Sequence, residues 1–155
     1  MNSGIVIVAA LAATVTAAVA SGHNAEVLPA HQVQAQLEQL ASKASSSGSS
    51  GATVATSGNL ALNLSVRTSS GGAEIHAHYD DLMIVQQGSA TLITGGSIID
   101  AKTDSGGETK GTGIQNGKSQ SITVGDVIIV PAGEPHQLLI PPGTLYSALV
   151  AKVKE

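Results

Sequence analysis

From Leu60 to the C-terminus, short apolar runs are cut repeatedly by glycine or proline, and this punctuation constrains the fold more than any other feature of the chain. Leu60, Leu62, Leu64 and Val66 alternate with Ala61, Asn63 and Ser65, the period of a strand with one buried face. Strand-like runs follow at 74–79, 82–87, 90–94, 119–124, 127–130, 137–140 and 145–153. Gly71-Gly72, Gly88, Gly95-Gly96, Gly125, Ala132-Gly133 and Pro141-Pro142-Gly143 separate them. Many short strands broken in this way predict an all-β sandwich or barrel. Phe and Trp are absent, leaving Tyr79 and Tyr146 as the only aromatics. The core must therefore be built from Leu, Ile, Val and Ala, which pack well on a pleated surface.

The segments before the strands read differently. Ile5 to Ala20 is an unbroken run of apolar and small residues, short for a membrane span, which needs about 20. Ala18-Val19-Ala20 then offers a small-x-small cleavage site, so residues 1–20 read as a signal peptide and the protein as secreted or periplasmic. A retained apolar anchor is the alternative, and only then is a membrane a partner. Pro29 followed by Val33, Leu37, Leu40 and Ala44 predicts a short amphipathic helix. Ser42 to Gly51 reads as a flexible Ser/Gly linker. The expected organisation is a signal-like segment at 1–20, a helix and linker at 21–57, and a β domain at 58–155. Asp100 to Gly117, polar and glycine-rich, reads as a long hairpin loop.

Composition removes several function classes. With 7 basic against 11 acidic residues and no Lys/Arg cluster, nucleic acid is not an expected partner. The absence of cysteine excludes disulfides, thiolate metal sites and Cys nucleophiles.

The residues that bear chemistry are histidines. His76 and His78 are two apart, so on one strand both imidazoles project from one face and can chelate a divalent metal with help from neighbouring strands. A hydrogen-bonded surface pair is the competing reading. Asp81 opens the next apolar run, with Asp80 as a substitute, and His136 follows the tight turn Pro131-Ala132-Gly133-Glu134-Pro135. Met83, Val85, Leu138 and Ile140 should face inward, as barrel core or as the wall of an apolar pocket. Tyr79, out of phase with the histidines, should face outward. Tyr146 reads as either core or pocket wall. His23 and His31 read as surface residues, and Glu74, in phase with His76 and His78, as a solvated charge at a strand end or a group at the barrel mouth.

Gly71, His76, His78, Asp81 and Gly88, with Gly125, Pro131, Gly133 and His136, resemble the two motifs of the cupin superfamily. The first motif runs Gly, five residues, His-x-His, three or four residues, Glu, six residues, Gly. Here four residues separate Gly71 from His76, two separate His78 from the acid, and the acid is Asp81. The second motif, Gly, five residues, Pro-x-Gly, two residues, His, is matched from Gly125 to His136, with Ile140 where an Asn is expected. The resemblance covers roughly residues 58–153. It implies a small antiparallel jelly-roll barrel, a homodimer, and a divalent first-row transition metal (Mn, Fe, Zn, Ni or Cu) held by His76, His78 and His136 with Asp81 at the carboxylate position. Two functions follow as expectations: a metal-dependent enzyme acting on a small molecule, or a noncatalytic module that binds a small ligand or self-assembles.

Overall fold

The computed structural model describes residues 25–155, so the signal-like run and His23 lie outside the described residues. The chain opens with α1 (Ala30–Ser47), whose last turn is closed by Gly48 at φ 82°, its N–H donating to the Ala44 carbonyl at 2.7 Å. Thirteen strands follow. The first five are β1 (Ser49–Ser57), β2 (Leu60–Arg67), β3 (Ala73–His76), β4 (Tyr79–Gln87) and β5 (Ser89–Thr94). Next come β6 (Ser97–Ile99), β7 (Lys102–Thr103), β8 (Glu108–Gly111) and β9 (Gly113–Gln115). The last four are β10 (Lys118–Thr123), β11 (Val127–Val130), β12 (His136–Leu139) and β13 (Tyr146–Lys154). They form a five-stranded sheet ordered β1-β2-β13-β4-β11, a six-stranded sheet ordered β10-β5-β12-β3-β8-β7, and the small pair β6-β9. Every pairing is antiparallel. Side chains of both large sheets meet in one aliphatic core that includes Met83, Val85, Leu92, Ile122, Val130 and Tyr146. This is the expected jelly-roll of two face-packed sheets.

Two expectations need correction. The Ser42–Gly51 stretch is not a linker: helix occupies it through Ser47 and β1 starts at Ser49, so the β domain begins well before residue 58. The serine hydroxyls bond within the helix, Ser45 to the Ala41 carbonyl and Ser46 and Ser47 to that of Lys43. Packing then outweighs their weak propensity, since Leu40 and Ala44 are buried against β1 and β2. The Asp100–Gly117 excursion is not a plain loop either. Its β8 pairs with β3 and extends the six-stranded sheet.

β2 has the one buried face that its alternation predicts. That face lies under the helix: Leu62, Leu64 and Val66 pack with Val33, Leu37, Leu40 and Ala44. The opposite, more polar face, with Asn63, Ser65 and Arg67, lines a cavity of about 330 Å³ between the sheets. That cavity holds the candidate site.

Candidate metal centre

β3 carries Glu74 and His76 two residues apart, so both side chains point to the same face and both reach the cavity. β12 begins at His136, which pairs in register with Glu74. The turn before it is fixed by Gly133, at φ 80°, whose N–H donates to the His76 carbonyl at 2.9 Å. The Pro-x-Gly turn of the second motif is thereby tied to the strand that carries the first. Asp81 enters from β4 in the opposite sheet.

Donor atoms of Glu74, His76 and His136 all lie within 4.8 Å of one another. The two imidazole centroids are 5.1 Å apart, and Glu74 Oε1 lies 4.0 Å from His136 Nε2. Asp81 Oδ2 stands 3.4 Å from His76 Nε2. Each ring is oriented from behind. His76 Nδ1 bonds to Glu108 on β8, its cross-strand partner. His136 Nδ1 donates to the Glu134 carbonyl at 3.1 Å. With both Nδ1 atoms engaged from behind, both Nε2 atoms face the cavity, that of His76 toward Asp81 and that of His136 toward Glu74.

The charges around the rings act in opposite directions. Burial disfavours a charged His76, but Asp81 and Glu108 outweigh it and hold its pKa above the ordinary histidine value. Burial also works against an ionised Asp81, yet its contacts with His76 and Lys152 carry its pKa below the usual carboxylate value. Burial dominates at His136 and pushes its pKa down. The Lys152 ammonium, from β13, sits 2.7 Å from Asp81 Oδ1.

His78 does not join this group. β3 ends at His76, Ala77 and His78 form a turn, and His78 is exposed beside Gly107, where an added Cβ would come within 3.3 Å of its Nε2. The same turn resets the alternation, so Tyr79 is in phase with Asp81 and Met83 and its ring lies 5.8 Å from the Lys152 ammonium, instead of facing away. Asp80 is occupied elsewhere, accepting the Ala132 N–H at 2.8 Å and so bracing the turn before His136. Ile140 is buried in the core, and Met83 and Leu138 also border the cavity.

The first motif thus fits in a different register. With Glu74 and His76 in the two histidine positions, four residues lead to Asp81 and six more to Gly88, the motif's own spacings. The leading glycine lacks a counterpart, because Thr68 stands there, and Glu74 and Asp81 replace a histidine and the glutamate. That spacing was the available signal for Glu74. Glu108 and Lys152 carried none, since each reaches the site only through cross-strand pairing.

No family model and no curated protein matches the sequence. Solved structures do. A Bacillus halodurans protein superposes with TM-score 0.57 at 13% identity, over 89% of this chain and 87% of that one. The polyketide cyclase RemF from Streptomyces resistomycificus gives 0.51 at 18%, over 70% and 66%. A predicted oxalate decarboxylase from Thermotoga maritima gives 0.50 at 16%, over 69% and 81%. The match spans just under two thirds of the cyclase. The architecture that these similarities and the two sheets define is the cupin fold.

Proposed function

We propose that the chain is an exported cupin barrel that holds a divalent first-row transition metal in its cavity and acts as a metal-dependent enzyme on a small molecule. The carrying observation is the pair of inward Nε2 atoms, each fixed by an anchored Nδ1, beside the carboxylates of Glu74 and Asp81. Two imidazoles and two carboxylates suit Mn, Fe, Zn, Ni or Cu. The ligand set is His76, His136 and Glu74 with Asp81 in reserve, in place of three histidines. Such an ion supplies a Lewis acid for a bound substrate. The chain's own groups orient it: Glu108 holds the His76 ring, and Lys152 holds Asp81 until an ion competes for it. Two similar folds bear enzyme names, cyclase and oxalate decarboxylase, which supports catalysis over passive binding.

The Lys152–Asp81 ion pair favours a second reading, a noncatalytic ligand-binding barrel in which the ammonium already supplies the cation. Elemental analysis of untagged protein separates the two. The enzyme reading expects about one ion per chain, lost in Glu74→Gln and His136→Ala and retained in His78→Ala. Metal-free wild type, or loss in His78→Ala alone, refutes it. Export rests on the 5–20 run and its small-x-small end. The mature chain should begin near Ser21, and an intact mass that still includes Met1 refutes that. Homodimerisation is proposed through β11, the edge of the five-stranded sheet, where Val127 and Ile129 are 61% and 68% exposed.

A further inference from the structure

At the far end of the same cavity Arg67 faces inward from β2 with no acid to meet it. Its Nε is buried without a hydrogen-bond partner, and among the described residues no carboxylate forms an ion pair with it. Its cross-strand neighbour Tyr146 is fully buried, and the hydroxyl also lacks a partner. A buried donor without a partner is costly unless an acceptor arrives, and Arg67 lines the cavity where one can reach it.

The seat of the guanidinium is built by Gly71. That glycine is not among the residues with positive φ, so its backbone suits any residue. Yet a Cβ there would come within 2.5 Å of Arg67 Nη1. What Gly71 provides is room for the guanidinium. It is also held in place, its N–H donating to the Leu138 carbonyl at 3.1 Å and its carbonyl accepting from Gln137 Nε2 at 2.9 Å.

We infer that Arg67, seated on Gly71, is the specificity residue of the cavity and takes a carboxylate of the small-molecule ligand at the end opposite Glu74, His76 and His136. This deepens the small-molecule reading above and rests on it for the use of the cavity, but not for the metal. Gly71 precedes Glu74 by three positions, with β3 starting only at Ala73, so the two lie at most about 10 Å apart along the chain. A short dicarboxylate spans that distance, one end at the metal ligands and the other on the guanidinium. Ser65 and Asn63 line the cavity from the same strand, so the passage between the ends is partly polar.

Calorimetric titration of the full chain with glutarate and adipate tests this, run on both metal-loaded and chelator-treated protein, with glutaramide and adipamide as neutral counterparts. The diacids should bind and the diamides should not. Arg67→Gln should weaken diacid binding at least about tenfold, with metal content unchanged and melting temperature no lower. Gly71→Ala should weaken it as well, by displacing the guanidinium without altering charge. Equal affinity for the diamides, unchanged binding in Arg67→Gln, displacement by equimolar chloride, or no binding of either diacid to wild type overturns the inference. Arg67-dependent binding in wild type that purifies without metal and takes none up refutes the metal reading and leaves this one standing. Stoichiometric metal without diacid binding does the reverse.

Discussion

Replacing Lys152 by Met isolates the balance between the ammonium and the candidate metal. The Asp81 side chain is 7% exposed and that of Lys152 30% exposed, with Nζ and Oδ1 2.7 Å apart. Breaking a fully buried pair by removing one partner costs about 3–5 kcal/mol, whereas an exposed pair is worth about 1 kcal/mol or less. Lys152 is nearly one third exposed, which places the loss between these limits, at about 2 kcal/mol. For a body of this size that is a fall in Tm of about 6–8 °C in chelator-treated protein. Methionine preserves the packing of the stem, so the loss is electrostatic. In an Asp81→Asn background the same substitution should cost much less, because the buried charge is gone. Metal affinity should move the other way. With the ammonium removed, Asp81 is freed for the ion, and Lys152→Met should bind Mn(II) or Zn(II) about tenfold more tightly by competition with a chelating dye. A variant as stable as wild type without metal, or one whose metal affinity is unchanged or weaker, refutes the reasoning.

In metal-free protein, the imidazole of His76 should titrate above the ordinary histidine value and that of His136 below it, as read by NMR of the ring protons. The linkage signs are opposite: the His76 contribution to stability is present below about pH 6.5 and fades as pH rises through its folded pKa, whereas His136 destabilises as pH falls below about 6.5. His76→Gln should therefore remove the alkaline loss, and its persistence counts against the Asp81 and Glu108 contacts. Leu40→Ala, at a helix position only 5% exposed, should cost about 3 kcal/mol in urea unfolding, and a loss below about 1 kcal/mol means that the helix is not integral to the sheet. Ile129→Lys should convert a dimer into a monomer by light scattering, while a dimer that survives places the interface elsewhere.

Which parts of this molecule were legible in its sequence follows from the kind of signal each part leaves. Period-two runs mark strands because a half-buried strand must alternate, and 82–87, 90–94, 127–130 and 145–153 fall within or close to the observed β4, β5, β11 and β13. The turn at Ala77–His78 left no such mark. It uses neither glycine nor proline, so 74–79 read as one strand and His78 was placed beside His76. Glu108 and Lys152 were illegible for a different reason. Both owe their place to register, Glu108 opposite His76 and Lys152 opposite Asp81, and register between distant segments is not written in either segment alone.

The case of β2 shows how the fold and the site depend on one another. Alternation established that one face is apolar, but a face can be buried by the opposite sheet or by something laid on the outside. In this chain α1 lies on the outside and takes Leu62, Leu64 and Val66. A strand that spends its apolar side on a helix must turn its other side inward, and on β2 that side is Asn63, Ser65 and Arg67. The polarity of the cavity is therefore a consequence of the helix. Without α1 to cover them, Leu62, Leu64 and Val66 would form an exposed apolar patch on the outside of the sheet. The 30–47 segment, which lines no part of the cavity, thus covers the outer face of the strand that presents Arg67 to it.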